Sequence, residues 1–294
     1  MSNTQEALNE LKIACRDPVK ARDAYPRVPE LVNLFNDDRN MDSIRLLSLQ
    51  TLGNILYHHH TDVNLVKLFP LDGTVDFKRF NDDLLHHYLR LLFFLTIKEH
   101  EGIQLGVKDK ILDLLIEKNE HHSQETILFA LRTLYNVVSG EDIGEDDLKK
   151  TIQITKAYLS SNNNSLKVRG SVVNLMNKMK ATIPKECVND VQDLFTALLH
   201  SQDRLLFTDY FPSVCRLIMR SDCSKDHHFL IDDNDRLPTL LRDTNVEVVL
   251  AVGDLLLNAC DNDVTRFVEH VGGYGQAAGY LYMRKIPVDQ IMNK

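Results

Sequence analysis

Positive charge is in short supply in this chain. Its 34 Lys and Arg stand against 42 Asp and Glu, a net charge of −8, whereas a nucleic-acid binder ordinarily presents a basic face. Paired cysteines are missing too. Cys15, Cys187, Cys215, Cys223 and Cys260 are odd in number and form no C-x-x-C pair. That argues against a disulfide framework or a structural zinc site and fits a reducing compartment. Long apolar runs are absent: the longest, "LLFFLTI" at 91–97, falls far short of a bilayer span. The opening residues "MSNTQEALNELK" have no apolar stretch, so no signal peptide is expected. No segment reads as a strand, and no nucleophile elbow or comparable catalytic motif occurs, so no catalytic residues are expected. These absences lead to the expectation of a soluble, intracellular, non-enzymatic protein.

What is present is an internal repeat. With 44% hydrophobic and 26% charged residues, the chain can bury a substantial core. "LQTLGNIL" (49–56), "LRTLYNVV" (131–138) and "VVNLMNKM" (172–179) align without gaps, and "GDLLLNAC" (253–260) fits the same frame. "LRLLFFLT" (89–96) and "VCRLIMRS" (214–221) are weaker copies. The fourth position is Leu52, Leu92, Leu134, Leu175, Leu217 and Leu256, at spacings of 40, 42, 41, 42 and 39 residues. A period near 41 belongs to helical repeats of the armadillo and HEAT type. Positions one, four and eight (Leu49, Leu52 and Leu56 in the first copy) form one apolar helical stripe.

Further helical stretches precede the octets, such as "KDKILDLLIEKN" (108–119) and "NDVQDLFTALLHS" (189–201). Pro70, 139–147, 160–165, Pro184, Pro212 and 232–238 read as helix starts, stops and loops. The expectation is an all-α, armadillo/HEAT-like, right-handed superhelical solenoid of about six helical repeats. It would form a single domain over 1–294, with an N-terminal cap around Leu8–Leu34 and a C-terminal cap from 271.

Position six of the octet holds Asn54, Phe94, Asn136, Asn177, Met219 and Asn258. It lies about 200° round the helix from the core leucine. An asparagine there can line a concave groove and hold a partner, or bond the backbone of a neighbouring helix end. Arg90 and Arg132 lie four residues before positions 94 and 136, on the same side of their helices. They suit a partner's carboxylates or a nearby Asp or Glu of the chain itself. The histidines at 58–60, 86–87, 121–122 and 227–228 lack the H-x-x-x-H spacing of metal ligands on one helical face. They read as surface residues near helix ends, and no metal or cofactor is expected.

"VGGYGQAAG" (271–279) contains Gly273, Gly275 and Ala278 in the G-x-G-x-x-G/A pattern of dinucleotide-binding turns. That turn needs a strand before it and a full βαβ unit after it. The preceding residues have helical spacing, and only 15 residues follow Gly279. Nucleotide binding at these glycines is therefore not expected.

The same stretch, with Arg266-Phe267-Val268 before it, resembles the end of the armadillo-like core of the synembryn family. "YLRLLFFLTI" (88–97), "LRTLYNVV" and "SVVNLMNKM" (171–179) resemble other segments of that family, in the same order from about residue 44 to 285. These proteins are cytosolic exchange factors and folding chaperones for heterotrimeric G-protein α subunits. The resemblance implies a cytoplasmic protein, recruited to the cell cortex, that binds GDP-bound and nucleotide-free α subunit. It implies capture of the α subunit's C-terminal helix in a concave groove, with release of GDP. Asn54, Arg90, Phe94, Arg132, Asn136, Asn177 and Asn258 are the expected partner-binding residues. Gly273, Gly275 and Gly279 would then form a structural turn capping the last repeat. A monomer that inserts in no membrane and binds no nucleic acid is expected. The repeats alone are also compatible with an adaptor that holds a peptide without promoting exchange.

Overall fold

Every octet lies within a helix or closes one. The structure, a computed structural model, describes residues 3–59, 76–97, 104–117, 122–138, 144–160, 164–221 and 236–287. Pro70, Cys223, His60, His121, His227 and His228 lie outside the described residues. Contacts divide the chain into two compact units, Met1–Lys150 and Thr151–Lys294. No strand occurs among the described residues.

In the first unit, α1 (Asn3–Ala14), α2 (Pro18–Asp23) and α3 (Val28–Asn36) precede α4 (Asp42–His59), which carries the first octet. It is followed by α5 (Asp82–Thr96), α6 (Gln104–Ile116) and α7 (Gln124–Val137). The octet helices pack in succession, α4 on α5 and α5 on α7, while α1 and α3 pack on α4 and α6 on α7. α1–α3 thus cover the first repeat on its N-terminal side. The division between the units falls inside α8 (Glu145–Tyr158).

The second unit repeats the scheme. α9 (Leu166–Lys178), α11 (Arg204–Arg220) and α13 (Val246–Ala259) carry octets and pack in succession, with α10 (Val188–Leu199) against α9 and α11. After the short α12 (Arg236–Thr239), α14 (Val264–His270) and α15 (Tyr274–Met283) pack on α13 and on each other.

Local chemistry sets the helix starts. The side chains of Asn81, Ser123, Ser165, Asp203 and Asn245 cap five octet helices by accepting from free backbone N–H groups. The stripes close the core: all six fourth-position leucines are at most 1% exposed. Each such burial contributes roughly 1.5–3 kcal/mol. Pro184 precedes the 3₁₀ turn Lys185–Cys187, as a separator should.

Pro212 corrects the expectation of a break, because it lies buried inside the 17-residue α11. A proline inside a helix costs about 3 kcal/mol. Its neighbours Phe211, Val214 and Cys215 are fully buried, so tertiary packing holds the helix through it.

Candidate partner-binding site

Position six is half-buried at Asn54, Asn136, Asn177 and Asn258, on the flank of the buried stripe. Of the two roles open to these amides, the structure shows the intramolecular one for three. Asn54 Nδ2 donates to Lys12 O at 3.0 Å, and Asn136 Nδ2 to Phe93 O at 3.4 Å and Thr96 Oγ1 at 3.2 Å. Lys12 and Phe93 lie in the last turns of α1 and α5, where carbonyls lack helical partners. Asn177 Nδ2 donates to Ser213 O at 2.7 Å, and its Oδ1 accepts from Arg220 Nη2 at 2.7 Å. The asparagine ladder therefore ties neighbouring repeats together. Asn258 makes no side-chain hydrogen bond among the described residues.

Phe94 departs from the exposed groove position expected for it. Its ring is only 9% exposed, packed edge-on against Tyr57 at 5.8 Å and beside Phe93 at 5.5 Å. A large apolar ring on the flank of the stripe lowers its free energy by turning inward. It serves instead as a floor for Arg90, whose Cζ lies 5.6 Å from the Phe94 centroid, within cation–π range.

Arg90 is a half-buried cation without an ion pair among the described residues. A Cβ on Gly53 would lie 3.8 Å from Arg90 Nη1, so the guanidinium reaches across to α4. Arg45, Arg79, Lys78, Lys108 and Lys150 of the same unit, by contrast, all have carboxylate partners. Burial lowers the pKa of Arg90, and only the Tyr57 hydroxyl works the other way. Arg132, half-buried on α7, has an intramolecular interaction of its own. The two arginines are not equivalent.

The histidine pattern is also corrected. His58 and His59 do end α4, and their Nε2 atoms lie 3.0 Å from Arg16 O and Pro18 O. His86 and His87 instead sit half-buried in the second turn of α5, one turn before Arg90. His87 Nε2 meets Gln50 Nε2 of α4 at 3.0 Å. The His86 ring packs edge-on at 5.2 Å against Phe129 of α7, and 4.9 Å from the His87 ring. Burial pushes the pKa of both down, His87 to about 4, with Arg90 adding to the effect on each. Gln50, Tyr57, His86 and His87 were missed by sequence reasoning. The helical offsets from Arg90 to His86 and His87, four and three residues, were the signal that could have found them.

In the second unit the glycine stretch divides into two parts. Gly272 (φ 89°) and Gly273 (φ 106°) adopt left-handed backbone. Gly273 N–H donates to Val268 O at 2.8 Å and Gly272 N–H to Glu269 O at 3.2 Å, the paired bonds of a Schellman ending to α14. Gly273 then serves as the N-cap of α15. Gly272, absent from the expected set, is thus a turn residue alongside Gly273. Gly275 and Gly279 are corrected: both lie on the exposed side of α15, with nothing within 4 Å of a Cβ.

The close approach occurs elsewhere, at Gly253 of α13, where a Cβ would run into the Tyr280 ring. Tyr280 is 1% exposed, packs 5.4 Å from Phe267, and donates its hydroxyl to Asp254 Oδ1 at 2.9 Å. Arg284 Nε also donates to Asp254 Oδ1, at 2.8 Å. These groups dock α15 on α13.

Among the described residues no helix is long and apolar enough to cross a membrane. No curated protein matches the chain. The crystal structure of an engineered protein is similar to it at 15% identity and TM-score 0.56, over 99% of this chain and 73% of the other. That likeness concerns the fold alone and agrees with an all-α solenoid. A second engineered protein, also at 15% identity, covers 88% of this chain and 92% of its own at TM-score 0.33, too low to inform the fold. Residues 236–293, which hold α12–α15 and the glycine turn, match the family model described as guanine nucleotide exchange factor synembryn, the family that the sequence resembles.

Proposed function

We propose that the chain is a guanine nucleotide exchange factor and folding chaperone for heterotrimeric G-protein α subunits, acting in the cytoplasm and without covalent catalysis. The observation that carries this reading is the family match over 236–293. The site is the flank of α4, α5 and α7, where Arg90 lies half-buried between Gly53 and the Phe94 ring with no carboxylate paired to it among the described residues. Its ligand is a carboxylate of the α subunit's C-terminal helix. A charge-assisted bond formed there replaces hydration that Arg90 has already partly lost. Tyr57 packs on the Phe94 ring beside it, Arg132 and Asn136 lie on the adjoining α7, and Asn54 supports the site by fixing α4 to α1. Asn177 and Asn258 belong to the second unit and are not part of this site.

Exchange then follows from differential affinity. A chain that binds the α subunit with its tail withdrawn favours the nucleotide-free state over the GDP-bound one. GTP binding to the α subunit restores the other state and releases the complex. The test is titration of a peptide carrying the α subunit's C-terminal helix against wild type and Arg90→Ala. A loss of about 1–3 kcal/mol is expected, shrinking as salt rises. Equal affinities would remove the site from this face. Release of the bound α subunit on GTP addition separates an exchange factor from an adaptor, which would be indifferent to the nucleotide.

A further inference from the structure

Three basic side chains crowd one face of α5 within a single turn. His86 is four residues before Arg90 and His87 three before it, all half-buried. No carboxylate pairs with Arg90 among the described residues. Gln50 faces His87 from α4, and Lys12 of α1 adds positive potential to it. From α7, Glu125 acts on His86, as do Asp82 and Asp83 at the start of α5; Tyr57 of α4 acts on Arg90. Both imidazoles are held neutral because burial and Arg90 oppose protonation.

An arriving carboxylate reverses that balance. It offsets the Arg90 charge, and with it one of the causes that keep His87 neutral. The Gln50 contact can accommodate both states. With the amide nitrogen facing Nε2, as found, Gln50 donates to a neutral ring. Turning the amide by half a rotation presents its oxygen to a protonated Nε2.

We propose that the His86–His87–Arg90 cluster takes up a partner carboxylate together with a proton, which His87 accepts from solvent as the carboxylate binds Arg90. This rests on the reading of this face as the site for the α subunit's tail. Its distinguishing consequence is a pH-dependent affinity that Arg90 alone would not produce.

The experiment measures binding of the same tail peptide between pH 7.5 and 5.5, for wild type, His87→Gln and Arg90→Ala. Because offsetting Arg90 relieves only part of what holds His87 at about 4 when free, wild-type affinity rises by roughly two- to threefold over that range. His87→Gln should show a flat profile, and Arg90→Ala should lose most of the binding at every pH. In the wild type, the His87 ring resonances should titrate at higher pH once peptide is saturating. Parallel pH profiles for wild type and His87→Gln would overturn proton uptake while leaving the tail site standing. An absence of wild-type peptide binding at every pH would overturn both.

Discussion

Replacing Gly253 with alanine should destabilise the second unit, although the same change in an ordinary helix is favourable. Gly253 is buried in the middle of α13, where alanine would gain about 1 kcal/mol in helix propensity. Against that gain stands the Tyr280 ring, which occupies the space a Cβ would need. The ring cannot swing outward freely. It is 1% exposed, packed on Phe267, and tied to Asp254 through its hydroxyl. Overpacking at such a site costs about 1–3 kcal/mol. Displacing the ring would also weaken a hydrogen bond to a carboxylate, worth ~1.5–3 kcal/mol. A net loss of about 2–3 kcal/mol is expected, read as a lowered urea midpoint at unchanged slope. Tyr280→Leu should absorb part of the cost, so the two substitutions should couple in a double-mutant cycle. An unchanged or raised midpoint for Gly253→Ala would refute the proposed docking of α15 on α13.

Gly275→Ala, on the open side of α15, should instead raise thermal stability by about 0.5–1 kcal/mol, whereas Gly272→Ala, at φ 89°, should lower it by about 1–2 kcal/mol. Leu134→Asp should unfold the first unit, because a buried unpaired charge costs several kcal/mol, and an unchanged thermal midpoint by circular dichroism would refute the repeat alignment. His87 should make stability depend on pH: its folded pKa of about 4 lies below the ~6.5 of the unfolded chain, so the unfolded state binds the extra proton between them. Stability is then full above pH ~6.5 and falls towards pH 4, by about 1–2 kcal/mol after allowance for the ring's partial exposure. The difference in urea midpoint between wild type and His87→Gln should follow that slope, and a constant difference would refute it.

The sequence by itself determined the helices, their period and their core. Six leucines in register demand a buried stripe, because helical spacing puts positions one, four and eight on one side whatever the partner helix is. The caps were equally local, since Asn, Asp and Ser accept from N–H groups two or three residues away. The most specific part of the family resemblance lay in contiguous residues, 266–279, and needed no contact across the chain. Tertiary structure decided what the flanking positions do. Whether Asn136 points to a partner or to Phe93 O depends on where α5 ends beside it. Whether Arg90 is paired depends on which acids lie near it in space. The glycines make the same point. Gly272 and Gly273 are required by a local turn, but Gly253 is required only because a tyrosine 27 residues later packs against it. Steric exclusion between distant residues leaves no trace in local spacing, so only the packed structure separates a glycine that must be there from Gly275, which need not.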